Sequence, residues 1–177
     1  MLLTIIALSA TISLSAQNCN NQVKNNSANN ASVNWETQES AAIANLAGGN
    51  KAFKVMTSDA NLYQDIKIPE GSKTAYFGGW TRNSQNNAAT GHAYLYAYVM
   101  DADDEIIQYV QFDVTKKGMA WAYQDKTINL KSNAVRVRFF LKKSAKNGVA
   151  DTGNIAYFDN LVLTFDCERK NSKPKSY

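Results

Sequence analysis

The chain contains 177 residues, of which 45% are hydrophobic, and it carries a formal net charge of +4 at pH 7. This length allows one domain with a substantial hydrophobic core. The sequence contains a single histidine, which excludes any metal cage or acid–base system built on several histidines. The modest positive charge is compatible with an acidic partner but does not require one.

The first residues have the features of a targeting segment. Residues 1–15 are apolar, rich in small and aliphatic side chains, and free of charge. This run is too short to span a membrane stably, and the small residues ending at Ala16 suit cleavage by signal peptidase. We therefore predict a signal peptide over residues 1–16 and a secreted protein, extracellular or periplasmic, rather than an integral membrane protein.

Two cysteines, Cys19 and Cys167, lie near opposite ends of the predicted mature chain. In an oxidising compartment such a pair predicts one disulfide, and two free thiols are the alternative. Neither cysteine has a Cys or His neighbour at the spacing of a metal site, so we predict no metal-binding or catalytic role for them.

The segments that flank the predicted domain are polar. Residues 17–31 are rich in Asn and lack apolar periodicity, which predicts a linker. Residues 168–177 contain mainly Lys, Arg, Ser and Asn, which predicts a basic, solvated and disordered tail. The folded domain is therefore predicted over residues 32–167.

Short segments of alternating polarity follow one another along this domain, separated by turn residues such as Pro-Glu-Gly at 69–71. One helix-like stretch, Glu39–Leu46, is short enough to be a loop instead. Many short strands with regular turn signals predict an all-β, antiparallel β-sandwich. The predicted strands cover residues 52–56, 62–68, 74–82, 92–100, 105–114, 120–130, 134–141 and 155–165.

The strand at 92–100 divides its side chains most clearly. Alternation places Tyr94, Tyr96 and Tyr98 on one face and small aliphatic residues on the other. Tyrosine combines a flat apolar ring with a polar tip, which suits a partly hydrated surface. We interpret this face as the floor of a binding cleft. The alternative is that the tyrosines pack beneath a loop or a neighbouring domain.

Other strands divide in the same way. An unpaired ionised arginine is costly to bury, so the parity that contains Arg82 is predicted to be the open one. The outward parities of the later strands also carry aromatic and long polar side chains. The predicted ligand-binding set is Tyr76, Trp80, Arg82, Tyr94, Tyr96, Tyr98, Tyr109, Gln111, Arg136 and Arg138.

This combination of side chains predicts carbohydrate binding. The C–H groups of a sugar ring lie well on an aromatic plane, and its hydroxyls pair with polar side chains. The arginines extend the prediction to acidic sugars, because guanidinium groups match carboxylate geometry. Nucleic acid could use the same groups, but secretion argues against it. The alternative is a cell-surface or extracellular protein that meets another protein through this face.

The sequence gives little support for an enzyme. It lacks a nucleophile elbow, a phosphate loop, a nucleotide-binding fingerprint and zinc-ligand spacing. The acidic cluster Asp101–Asp104 falls in a predicted turn, and His92 is interpreted as a loop residue. We therefore predict a non-catalytic protein, and a glycan-active hydrolase or lyase is the less favoured alternative. The sequence does not indicate an oligomeric state.

Two stretches resemble secreted carbohydrate-binding modules. Leu62–Gly71 leading into Tyr76–Arg82 is similar to their strand, Pro/Gly turn and aromatic strand, and Ala156–Leu163 is similar to their closing strand. Trp121 and Trp35 also lie where such modules carry aromatic residues. The resemblance covers roughly residues 32–166 and is to the galactose-binding-like jelly rolls of families 4, 9 and 22. It implies a jelly-roll fold and non-catalytic polysaccharide binding.

The same resemblance implies one structural calcium ion. Matched to such modules, Glu36 and Asp159 are the carboxylate ligands, with backbone carbonyls around Gly49 and Lys51. Calcium takes six to eight oxygen ligands, which carboxylates and carbonyls from converging loops can provide. The alternative is that Asp159 hydrogen-bonds a neighbouring loop without a metal. One departure is that these modules usually accompany a catalytic domain, which this sequence does not contain.

Overall fold

The computed structural model describes residues 19–38, 41–57, 60–84, 91–114, 120–145 and 155–167. These residues form ten strands and one short 3₁₀ turn at Ala47–Gly49. In chain order the strands are β1 (Glu36–Gln38), β2 (Ala41–Asn45), β3 (Lys51–Val55), β4 (Asn61–Lys67), β5 (Thr74–Asn83), β6 (Gly91–Met100), β7 (Ile106–Asp113), β8 (Ala122–Asn129), β9 (Arg136–Ala145) and β10 (Ala156–Phe165).

The strands form two five-stranded sheets. Sheet A has the order β1-β4-β9-β6-β7, and sheet B has the order β2-β3-β10-β5-β8. Every strand pair within them is antiparallel. The predicted all-β, antiparallel sandwich is therefore confirmed. The helix-like stretch Glu39–Leu46 contains strand β2, because Ala41–Asn45 pairs along its length with β3.

The core lies between the two sheets and follows the alternation of the sequence. On β6, Leu95 and Val99 are buried, and on β10 Phe158 and Leu163 are buried. Full burial of each such side chain contributes about 1.5–3 kcal/mol. Gly79 on β5 also faces inward, where a Cβ atom would approach the Leu161 side chain to 2.7 Å. A side chain at this position would therefore force the Leu161 side chain to move.

The asparagine-rich segment before β1 is part of the domain. The Asn21 amide donates to the carbonyl of Leu161 (2.8 Å) and accepts from the backbone N–H of Leu163 (3.0 Å). Val23 and Ala28 are buried in the core. The interpretation of this segment as a linker is therefore wrong for its described residues, 19–31. Its asparagines bind the free edge of β10 beyond the point where β3 stops pairing with it.

A buried glutamine fixes this N-terminal segment to sheet A. The Gln64 side chain accepts from the backbone N–H of Lys24 (2.9 Å) and donates to the carbonyls of Lys24 (3.2 Å) and Asn34 (2.8 Å). Trp35 packs against Phe53 with ring centroids 4.7 Å apart. Because Gln64 shares its inward parity with Leu62 and the other core residues of β4, its amide needs these partners to offset burial.

The two chain ends of the domain are joined by the predicted disulfide between Cys19 and Cys167, whose Cα atoms are 5.6 Å apart. Beside it, the Asp166 carboxylate accepts from the backbone N–H groups of Lys73 (2.7 Å) and Thr74 (2.8 Å). Burial opposes ionisation of Asp166, but these hydrogen bonds outweigh it and lower the pKa of the carboxyl.

Two predicted segments, the signal peptide at 1–16 and the basic tail at 168–177, lie outside the described residues. The part of the chain that the structure describes contains no helix with the length and apolarity needed to span a bilayer.

Candidate functional site

The outer side of sheet A carries a continuous aromatic surface, called here the tyrosine face. Along β6 the ring centroids of Tyr94 and Tyr96 are 5.2 Å apart, and those of Tyr96 and Tyr98 are 5.1 Å apart. Phe140 on β9 lies 5.8 Å from Tyr98, and Tyr63 on β4 lies 6.0 Å from Phe140. The face therefore crosses three neighbouring strands, with the aliphatic residues of β6 buried on the other side.

The tyrosine rings pack against one another as well as against solvent. The rings of Tyr96 and Tyr98 are stacked, with 21° between their planes, and Tyr94 tilts against Tyr96 from the other side. The face of the middle ring is therefore covered on both sides by its neighbours. What the three residues offer to a ligand is a row of ring edges and hydroxyl groups.

Burial extends the pH range over which the hydroxyls of Tyr96 and Tyr98 stay protonated. Desolvation, followed by the neighbouring tyrosines, raises the pKa of Tyr96 well above its ordinary value, and desolvation also raises the pKa of Tyr98. A phenol that stays protonated can both donate and accept a hydrogen bond. The row therefore suits a ligand that carries hydroxyl groups.

Strand β7 extends this face at the edge of the sheet. Tyr109 pairs with Tyr98, and Gln111 pairs with Tyr96 in the strand register. Tyr109 is 65% exposed, so its ring remains open to solvent. These two residues add an accessible aromatic plane and an amide to the tyrosine face, as the sequence predicts.

Both arginines of the tyrosine face are paired with carboxylates. Arg138 donates from Nε and Nη2 to Asp65 at 2.8 and 2.7 Å, and its guanidinium lies 4.4 Å from the centroid of the Tyr63 ring. Arg136 forms an ion pair of 2.6 Å with Asp104. The charges of these two arginines are therefore largely balanced by carboxylates. An ion pair of this kind leaves less of the guanidinium charge available to a further anion.

Acidification is expected to destabilise the protein through Asp65. Hydrogen bonds from Arg138 hold the pKa of Asp65 below its usual range. The stabilisation is thus fully present above the carboxyl's ordinary pKa of about 4 and is lost as the pH falls through the lower folded-state value. Thermal unfolding should show a Tm that falls from about pH 5 to about pH 2. The fall should be smaller in Asp65→Asn, and equal falls in both proteins would contradict the prediction.

Three of the predicted ligand-binding residues do not belong to this face. Tyr76, Trp80 and Arg82 lie on β5, which belongs to sheet B, so they point to the opposite side of the sandwich. Trp80 is only 8% exposed and packs against Tyr123 with ring centroids 5.4 Å apart. The Tyr76 hydroxyl donates to Asp125 (3.1 Å). The prediction that one cleft contains the whole ligand-binding set is therefore wrong. The prediction that the side chains of Tyr76, Trp80 and Arg82 point outward from their sheet is right.

No family model and no curated protein matches the chain. Among solved structures it resembles a family 16 carbohydrate-binding module, at 21% identity and a TM-score of 0.60 over 81% of this chain and 99% of that one. A family 4 carbohydrate-binding module gives 10% identity and a TM-score of 0.57, again over 81% and 99%. The chain has their jelly-roll fold. The enzymatically active domain of tailspike protein 4 from bacteriophage CBA120 gives 17% identity and a TM-score of 0.63 over 82% of this chain, which spans only 21% of that one.

The predicted calcium ligands are distributed over both sheets. Glu36 is on edge strand β1 of sheet A, where it accepts a hydrogen bond from the Tyr63 hydroxyl. Asp159 is buried on a central strand of sheet B and accepts from the backbone N–H of Asn160 (2.7 Å). Lys51 donates its ammonium to the Asn29 carbonyl, beside Gly49 in the β2–β3 turn.

The two carboxylates thus belong to different sheets. Within the described residues no three His, Cys, Asp or Glu side chains are grouped to hold a metal. Calcium binding by these residues remains a prediction.

The prediction from sequence missed residues that the jelly roll places on the tyrosine face. Tyr63 and Asp65 of β4 and Phe140 of β9 belong to its centre. The alternation of residues 62–68 already places Tyr63 and Asp65 on one parity. What the sequence does not contain is the pairing of β4 with β9, which brings them beside the arginines.

Proposed function

We propose that the tyrosine face binds a polysaccharide non-covalently and that it favours uncharged sugars. The observation that carries this proposal is the continuous row Tyr94, Tyr96, Tyr98, Phe140 and Tyr63 on one side of sheet A. A polymer lying on this row would meet ring edges and neutral hydroxyls in turn. Support also comes from the fold, which is shared with proteins named as carbohydrate-binding modules.

The expected contacts follow from what each side chain leaves exposed. The hydroxyls of Tyr96 and Tyr98 would exchange hydrogen bonds with sugar hydroxyls, each contributing about 0.5–1.5 kcal/mol net. The open ring of Tyr109 would lie against sugar C–H groups. A few such contacts give a modest affinity, which suits reversible attachment to a polymer with many equivalent positions.

We further propose that the protein is secreted and that it is not an enzyme. A disulfide between the ends of the domain is typical of proteins from oxidising compartments. Two carboxylates of the tyrosine face, those of Glu36 and Asp65, are engaged by the Tyr63 hydroxyl and by Arg138. Such engaged carboxylates are poorly suited to act as the general acid and nucleophile of a glycosidase.

The test is removal of single hydroxyl groups. Tyr96→Phe and Tyr98→Phe keep the stacked rings and should each lower affinity about 3–10-fold, because one hydrogen bond is lost. Affinity electrophoresis against a panel of neutral and acidic polysaccharides gives the measurement. Tyr76→Phe removes a phenol hydroxyl from the opposite side of the sandwich and is the matched control, with affinity unchanged.

The same experiment separates polysaccharide binding from a protein-binding role and from an enzyme. Retardation by a neutral polysaccharide that both Tyr→Phe variants weaken would support the proposal. No retardation by any polymer would reject it and favour a protein partner for the tyrosine face. Release of reducing ends from the same polymers would reject the non-catalytic part.

A further inference from the structure

A concave site lies on the outer side of sheet B, on the opposite side of the sandwich from the tyrosine face. This pocket has a volume of about 380 Å³, within the usual range for small-ligand sites. It is lined by Arg82, Trp121 and Tyr157 and by the β2–β3 turn, including Asn45 and Asn50. It shares no lining residue with the tyrosine face. We call this site the Arg82 pocket.

Strand pairing places the arginine of this pocket between two aromatic rings. Tyr157 on β10 is the register partner of Arg82 on β5. Trp121 directly precedes β8, which pairs with β5 on its other side. The guanidinium carbon is 4.8 Å from the centroid of the Tyr157 ring and 5.5 Å from that of the Trp121 ring. Contacts of this kind hold a guanidinium in a defined place without neutralising its charge.

The described residues around Arg82 do not balance its charge. Within the part of the chain that the structure describes, no carboxylate lies within ion-pair distance of this arginine. Its buried Nε has no hydrogen-bond acceptor there either. Arg138 on the tyrosine face, in contrast, makes a bidentate pair with Asp65. Of the three arginines Arg82, Arg136 and Arg138, only Arg82 has no carboxylate partner among the described residues.

We propose that the Arg82 pocket binds an acidic sugar, through the carboxylate of a uronic acid residue in a polysaccharide. The guanidinium would donate to the carboxylate, and a charge-assisted hydrogen bond of this kind is roughly twice as strong as a neutral one. The side-chain amides of Asn45 and Asn50 supply donors and acceptors for the sugar hydroxyls. The proposal does not depend on sugar binding by the tyrosine face.

A matched pair of ligands tests the charge requirement. Calorimetric titration is carried out with an oligogalacturonate and with the same oligosaccharide after reduction of its carboxyl groups to primary alcohols. The acidic form is expected to bind at least tenfold more tightly than the reduced form. Binding of the acidic form should weaken as the salt concentration rises.

Substitutions test whether the acidic sugar binds at Arg82. Arg82→Gln is expected to lower affinity for the oligogalacturonate at least tenfold. Arg82→Lys should retain part of the wild-type affinity, because an ammonium keeps the charge but not the planar arrangement of donors. Lys126→Gln removes one positive charge from an exposed position on β8, outside the pocket, and should leave affinity unchanged.

Three results would overturn the proposal: no binding of the oligogalacturonate, equal binding of its reduced form, or full affinity in Arg82→Gln. Loss of binding in Tyr96→Phe with full affinity in Arg82→Gln would assign the acidic sugar to the tyrosine face instead. Thermal unfolding verifies that each variant is folded. Should Arg82→Gln fail to fold, Arg82→Lys and the reduced ligand decide the question.

Discussion

Trp80→Ala is expected to lower the free energy of unfolding by about 3–5 kcal/mol while the folded variant still binds glycan through the tyrosine face. Although Trp80 points away from the core, it is only 8% exposed and packs against the Tyr123 ring. Its removal empties the space that the indole fills beside Tyr123 on the outer side of β5 and β8, and the paired backbones of these strands cannot move in to fill it.

Urea unfolding of the wild type and the variant measures this loss. Tyr109→Ala is the matched control, because it removes an aromatic ring that is 65% exposed and should change stability little. The two substitutions should also differ in binding, with glycan affinity lowered in Tyr109→Ala and unchanged in Trp80→Ala. A Trp80→Ala protein of normal stability without glycan binding would return this residue to the binding site.

Loss of the Cys19–Cys167 disulfide is expected to lower stability by about 5 kcal/mol, because it closes a loop that contains nearly the whole domain. In the chain-entropy model the effect comes from the unfolded state, which gains freedom when the cross-link is removed. The native fold should remain, since Asn21 and Gln64 still hold the N-terminal segment by hydrogen bonds.

The measurement compares urea midpoints with and without reductant. The double variant Cys19→Ser/Cys167→Ser should unfold at the midpoint of the reduced wild type and should not respond to reductant. A wild-type midpoint that reductant leaves in place would contradict the prediction. Such a result would mean that the contacts of the N-terminal segment with β10 already restrict the chain ends.

The strands and their faces could be predicted from sequence because alternation is a local property. Tyr94, Tyr96 and Tyr98 point outward and Leu95 points inward, as their spacing predicts. The same local pattern assigns Trp80 correctly to an outward parity. The pattern could not tell to which sheet β5, and with it Trp80, would belong. That depends on the pairing of β5 with β8 and β10, both of which are far from it in sequence.

Hydrogen bonding explains the other differences between the predictions from sequence and the structure. Composition predicts a linker from the asparagines of residues 17–31, because a polar segment alone cannot form a core. In the structure Asn21 instead binds both backbone groups of a free strand edge. Glu36 and Asp159 similarly have local features of ligands, but they are held by sheets that only long-range pairing defines.

The back-to-back placement of the tyrosine face and the Arg82 pocket has a consequence for polymers. Two packed sheets separate them by roughly 10 Å plus the outward side chains, so one straight sugar chain cannot lie on both at once. A molecule occupied on both sides would join two separate polymer strands. Protein added to a mixture of neutral and acidic polysaccharides would then act as a cross-link, raising viscosity, with a maximum when each copy bridges one strand of each kind.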